Sequence, residues 1–234
     1  MPRLRGLFGH EYLYVESTPS TQLLLSPDAP EGAVAVAGEQ TAGRGRLGRR
    51  WLAPAGTSLL CSVQLRPRVD PRRLPELTGV AARACGEAIE AVTGLAPELK
   101  EPNDLLVGGR KVAGVLAEAR EERVVLGIGI NVNQAEERLA ADARVPAGSL
   151  RSLTGRLFDR EEVLAAFLGR LDGLYARWRD GGLGAVHAEL TARDFLRGRR
   201  VSVNGVEGVA DGLDPEGRLL VDGSPVESGE VSFG

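Results

Sequence analysis

Apolar runs of strand length punctuate the first half of the chain, separated by loops rich in glycine and arginine. The run AVAVAGE over 33–39 predicts a buried strand, and 57–65 predicts a second. A short helix is expected over 20–25. Over 71–92 a proline at the start, leucines and alanines at helical spacing, and Gly94 beyond the end predict a longer one. Strand-like segments follow at 98–100, 105–107, 111–118 and 124–130, with Gly108-Gly109 and Glu121-Glu122 as turns. Residues 161–178 predict a long amphipathic helix whose broad apolar face is Val163, Leu164, Phe167, Leu168, Leu171, Leu174, Tyr175 and Trp178.

The texture changes near Leu190. From Arg199 onward the chain is a series of short β-type runs split by glycines (RRVSV, NGV, EGVADGLD, EGRLLVDG, GEVSF), with Asn204-Gly205 as a hairpin signal. Several short strands at this spacing predict a small barrel. The expected division is therefore a domain over 1–189 and a small C-terminal β-barrel domain over 190–234. The first part mixes neighbouring strands with flanking helices instead of alternating them regularly. The expected fold class is α+β, a mixed sheet with flanking helices.

Composition removes several functions. Hydrophobic residues make up 43% and charged residues 26%, ordinary for a globular protein. The apolar runs are too short to span a bilayer, and the arginines of the N-terminus precede no apolar signal core, so a cytoplasmic protein without a membrane partner is expected. Cys61 and Cys85 sit in apolar surroundings and read as buried free thiols. His10 and His187 form no zinc-like spacing with them and have no serine or cysteine nearby for a triad. The net charge of −3 supplies no global field toward nucleic acid. Only two of the 29 basic residues are lysines, Lys100 and Lys111, and both lie in one short segment. A chain this biased toward arginine that keeps lysine there points to a need for a compact ammonium.

Three segments carry candidate chemistry. Gly43-Arg44-Gly45-Arg46-Leu47-Gly48 formally matches a dinucleotide fingerprint, but no helical pattern follows it, and that motif requires a helix N-terminus at the pyrophosphate. Its arginines can instead pair with phosphate or carboxylate, its glycines allow close approach, and Trp51 offers a flat face. A solvated basic loop, or a single-stranded nucleic-acid site, would use the same parts. In the second segment, Lys100-Glu101-Pro102-Asn103-Asp104, the Gly108-Gly109 turn would return Lys111 close to Asp104. Taken alone this reads first as a turn aspartate paired with a surface lysine. The same pair could hold Mg2+ or position an α-phosphate. The third, Gly127-Ile128-Gly129-Ile130-Asn131-Val132-Asn133, places glycines inside an apolar strand, where backbone or ligand comes close. A β-bulge closed by the asparagines is the plainer reading.

Taken in order, these segments resemble the biotin–protein ligase family. The match comprises Ser20-Thr21-Gln22, Gln40 through Trp51, Lys100 through Asp104, Arg110 through Glu118 (RKVAGVLAE), Gly127 through Asn133 and the closing GEVSF, nearly the whole chain from Tyr12. The resemblance implies a catalytic domain like that of class II aminoacyl-tRNA synthetases and an SH3-like C-terminal barrel. It implies that Ser20, Thr21, Gln40, Gly43, Arg44, Lys111 and Gly114 bind biotin. It implies that Arg44, Arg46, Trp51, Asn103, Lys111 and Asn131 meet ATP or the adenylate. Lys111, Arg46 and Asp104 are then the catalytic set, with Asp104 also offered to Mg2+. The substrates would be biotin and ATP, the partner a biotin carboxyl carrier protein of acetyl-CoA carboxylase or a related biotin-dependent carboxylase. A homodimer through the sheet is a further implication, and, from the early start of the biotin motif, no DNA-binding domain is expected. One departure stands out: Glu101 occupies a position where the family usually has tryptophan. The rivals are a lipoate–protein ligase, which shares the chemistry, and a non-catalytic nucleic-acid-binding module.

Overall fold

The computed structural model describes residues 6–100, 102–139, 145–226 and 231–233, so Glu101 and Gly229-Glu230 lie outside the described residues. Seven strands form one sheet: β1 (Tyr12–Thr18), β2 (Val34–Gln40), β3 (Ser58–Leu65), β4 (Glu98–Lys100), β5 (Asp104–Val107), β6 (Arg110–Arg120) and β7 (Arg123–Asn131). Their order is β1-β2-β3-β7-β6-β5-β4, with β1 parallel to β2 and the other pairs antiparallel. The sheet is mixed and the class is α+β. Both predicted turns close hairpins: Gly108 and Gly109 adopt φ of 55° and 76°, and Glu121 adopts 52°.

The two faces of the sheet have different company. Leu59, Cys61, Val63 and Leu65 of β3, with Leu126, Ile128 and Ile130 of β7, join the helix side of the main core. The alternate residues, Ser62 on β3 and Gly127 and Gly129 on β7, turn to the other face, as the two-residue period of a strand requires. The helix side is built by α1 (Glu76–Thr93) and α3 (Arg160–Gly181), with the short helices α2 (Leu150–Thr154) and α4 (His187–Thr191) beside them. All eight residues expected on the apolar face of α3 are buried. Fully burying a leucine or phenylalanine side chain contributes about 1.5–3 kcal/mol, so this face anchors the helix. Asp159 caps it by accepting from the Glu161 amide at 2.8 Å. The helix expected over 71–92 divides into a single turn at Pro71–Arg73 and α1. Pro75 has no N–H to extend the turn, which breaks the hydrogen-bond ladder between them.

The chain after α4 forms a second, antiparallel sheet in the order β11-β10-β9-β8-β12: β8 (Arg200–Val203), β9 (Val206–Leu213), β10 (Leu219–Val221), β11 (Ser224–Val226) and β12 (Val231–Phe233). Asn204-Gly205 makes the first of its hairpins, with φ of 51° and 82°. Phe195, Leu196, Val201 and Val203 form its core together with Leu106 of β5. Two backbone bonds tie it to β4: Leu99 N donates to Arg193 O at 2.7 Å, and Phe195 N donates to Leu99 O at 2.9 Å. The small sheet is thus fixed at the β4 edge of the large one.

Candidate functional site

The open face of the large sheet carries a cavity of about 720 Å³. Strand register builds its floor. Lys100 pairs with Asp104, Asp104 with Gly114, and Gly114 with Gly129. One row further along, Leu116 pairs with Gly127, and Gly127 with Ser62. Glycine is needed where this floor is overlaid: a Cβ on Gly129 would stand 2.5 Å from the Trp51 ring, and one on Gly127 2.6 Å from Gln22 Nε2.

At one end of the floor the groups are neutral and polar. Gln40 Oε1 accepts from Thr21 N at 2.8 Å and from Thr21 Oγ1 at 3.1 Å, and Thr21 Oγ1 lies 2.8 Å from Ser62 Oγ. Gln22 Nε2 donates to Leu116 O at 3.2 Å, while its Oε1 is buried with no protein partner. A buried acceptor left unpaired is costly unless a ligand donates to it. Ser20 and Thr21 line the cavity, whereas Ser17 is exposed and bonded to Glu39.

The other end is ionic. The β5–β6 hairpin brings Lys111 Nζ to 2.7 Å from Asp104 Oδ1, with both side chains largely shielded. Lys111 Nζ also lies 5.6 Å from the Trp51 ring centre. Asn103 is fixed by Nδ2 donating to Val115 O at 3.1 Å, and it accepts from Arg46 Nη1 at 3.3 Å. Lys100, Val231 and Phe233 close this end, the last two from the small sheet.

The glycine–arginine loop is the roof. It contains one turn, Arg46–Gly48, in which Leu47 takes φ 56°, and no helix follows. Arg44 and Arg50 face each other across the loop, and Arg44 Nη1 is 3.7 Å from Glu118. Gly43 is buried under it, where a Cβ would meet Trp51 O at 2.5 Å. Arg44, Arg46, Arg49 and Arg50 line the cavity as partly or fully exposed guanidinium groups.

The structure thus gathers Ser20, Thr21, Gln40, Arg44, Arg46, Trp51, Asn103, Asp104, Lys111 and Gly114 around one space. Asn131 does not line it: its amide donates to Gly148 O at 2.9 Å and accepts from Gln134, tying β7 to the next loop. Gln22 and Phe233 are additions. Gln22 follows directly on Ser20-Thr21, a signal available in the sequence, whereas nothing near Phe233 in the chain announces its place. For a resident metal the donors do not fit: Asp104 is taken by an ammonium, and no group of three His, Cys, Asp or Glu side chains converges among the described residues. No described helix is long and apolar enough to cross a membrane.

The cavity thus has a neutral hydrogen-bonding end, a glycine floor and a cationic end beneath an arginine roof. Comparison with known proteins supplies the family. Residues 14–134 match the model of the biotin/lipoate A/B protein ligase family. The chain is 35% identical to the bifunctional ligase/repressor BirA of Bacillus spizizenii over 92% of this chain and 70% of that one. It is 33% identical to the biotin–[acetyl-CoA-carboxylase] ligase of Paracoccus denitrificans over 94% and 98%. The biotin protein ligase of Aquifex aeolicus, solved in complex with biotin and ATP, superposes with a TM-score of 0.87 at 31% identity, covering 96% of this chain and 99% of that one. The chain belongs to the biotin/lipoate A/B protein ligase family.

Proposed function

We propose that this chain is an ATP-dependent biotin–protein ligase. It activates biotin as biotinyl-5'-AMP and transfers the biotinyl group to a lysine of a biotin carboxyl carrier protein, that of acetyl-CoA carboxylase or a related carboxylase. The observation that carries this reading is the cross-strand row from Lys100 through Asp104, Gly114 and Gly129, with neutral acceptors at one end and ammonium groups at the other. The similarity to the Paracoccus ligase and to the Aquifex biotin–ATP complex supports it.

The chemistry follows from charge. Biotin's carboxylate and the α-phosphate of ATP repel each other, so the site must supply cations where they meet. Gln22, Thr21, Gln40 and Ser20 suit the ureido ring, whose N–H groups would satisfy the unpaired Gln22 oxygen. The carboxylate then reaches Lys111. A carboxylate oxygen attacks the α-phosphorus, the bond to the bridging oxygen breaks, and pyrophosphate leaves with its electron pair. Lys111, Arg44 and Arg46 neutralise the charge that develops. Mg2+ enters with the phosphates as part of the substrate. The mixed anhydride is sensitive to water, so the arginine roof with Trp51 serves as its shield. The acceptor amine then attacks the biotinyl carbonyl, AMP departs, and Asp104 orients the amine and draws off its proton.

In this reading residues 1–189 are a catalytic domain of class II aminoacyl-tRNA-synthetase type, and 190–234 an SH3-like barrel. The test is transfer. The purified chain with biotin, ATP and a biotin carboxyl carrier domain should give streptavidin-reactive acceptor, and none when the acceptor lysine is replaced by arginine. Labelling that survives that replacement, or no labelling at all, would contradict the proposal.

A further inference from the structure

Four side chains form a column from the surface of the small sheet into the cavity. The Arg199 guanidinium lies 4.2 Å from the Phe195 ring centre, and Arg199 Nε donates to Phe195 O at 2.7 Å. Phe195 meets Phe233 edge to face, with centroids 5.2 Å apart and planes at 77°. Lys100 Nζ lies 5.3 Å from the Phe233 ring centre. The column is anchored to the strand that carries Lys100, because Phe195 N donates to Leu99 O at 2.9 Å.

Ring faces are negative and ring edges positive, so an ammonium over one ring and a guanidinium over the other sit at favourable positions, with an edge-to-face contact between them. A lysine stem has many rotamers, and a ring face beneath the ammonium narrows them. Both Lys100 and Phe233 line the cavity. In the strand register Lys100 stands one strand, about 5 Å, beyond Asp104 and on the side away from the glycine floor. If the α-phosphate meets Lys111, the remaining phosphates extend toward Lys100.

We propose that Phe233 is a positioning residue: its ring holds the Lys100 ammonium at the nucleotide end of the cavity, where the ammonium receives the pyrophosphate portion of ATP. This rests on the ligase reading. Lys100 forms no covalent bond to substrate and takes no proton; it balances the charge that pyrophosphate carries away.

The test uses the full chain and its Phe233→Leu, Phe233→Tyr, Lys100→Met and Phe233→Leu/Lys100→Met variants. Leucine keeps the apolar contact and loses the ring face, while tyrosine keeps both, and thermal melting identifies any variant that fails to fold. In biotin-dependent ATP–pyrophosphate exchange, Phe233→Leu should raise KM for ATP about three- to tenfold. KM for biotin should be unchanged, Phe233→Tyr should restore the wild-type value, and Phe233→Leu should add nothing in the Lys100→Met background. Equal changes in both KM values, additive effects in the double variant, or an unchanged KM for ATP would overturn the proposal. Calorimetric binding of inorganic pyrophosphate reads the same contact without ligase chemistry. A wild type that exchanges nothing but binds pyrophosphate in a Phe233-dependent way would sink the ligase reading and keep the column. Intact exchange and pyrophosphate binding, both indifferent to Phe233→Leu, would sink the column alone.

Discussion

Lys111 Nζ and Asp104 Oδ1 stand 2.7 Å apart across the β5–β6 hairpin, so the site holds its principal cation already paired with a carboxylate. Under the proposed ligase reading, an arriving carboxylate and phosphate would share that ammonium, and Asp104 would be freed toward the acceptor amine. The two half-reactions should therefore separate. Lys111→Ala should lower adenylate formation about 100-fold or more, as loss of a charge-stabilising donor does elsewhere. It should leave biotin affinity within about tenfold, since the neutral end of the cavity is untouched. Asp104→Asn should slow transfer from preformed biotinyl-AMP more than it slows adenylation. Single-turnover assays of each half-reaction measure both, and an Asp104→Asn variant impaired only in adenylation would refute the assignment.

Trp51 lies over the glycine floor, and the only other tryptophan, Trp178, is fully buried behind the sheet against α1. A Cβ on Gly129 would meet the Trp51 ring at 2.5 Å, so Gly129→Ala must displace the indole. We expect a red-shifted Trp51 emission, a melting temperature within a few degrees of wild type and biotin affinity reduced about tenfold or more. An unshifted spectrum with wild-type affinity would mean that the floor and its cover are not part of the ligand site.

The sequence made the strands of the sheet legible where burial enforces a pattern. The largely apolar runs of β3 and β7 mark strands whose helix side is fully buried, and the face of α3 was readable residue by residue. β1 was not anticipated: it is an edge strand, mostly exposed along its length, so no alternation records it. Its parallel pairing with β2 is likewise invisible to local pattern. In the site, the glycine pair at 108–109 closes the hairpin that sets Lys111 opposite Leu106, two residues along the strand from Asp104, so their contact was legible, whereas the bulge between Leu105 and Leu106 was not. The arrival of Phe233 at Lys100 depends on how a second sheet docks at the β4 edge, and no local pattern encodes that distance. Asn131 shows the opposite case, a polar residue among glycines whose amide is used up in joining β7 to Gly148 and Gln134.

Cys61 is wholly buried, and burial pushes its thiol up to about 12, with Cys85 raised by the same cause. A thiol in the unfolded chain ionises near 9, so its contribution is fully present below that pH and is lost as pH rises from about 9 to 12. The Cys61 thiol steepens the loss by roughly 1 kcal/mol per pH unit in that window. Urea unfolding at pH 8, 9, 10 and 11 should show a falling free energy. Cys61→Ala, although less stable at pH 8 from the cavity it leaves, should lose less per unit. Equal slopes in the two proteins would show that the buried thiol does not govern the alkaline limb.

Adenylation of biotin is tested most directly by exchange of labelled pyrophosphate into ATP with no acceptor protein present. Exchange should require biotin and should not be supported by lipoate. Exchange with lipoate alone would keep the chemistry and overturn the substrate, and exchange with neither would contradict the ligase assignment.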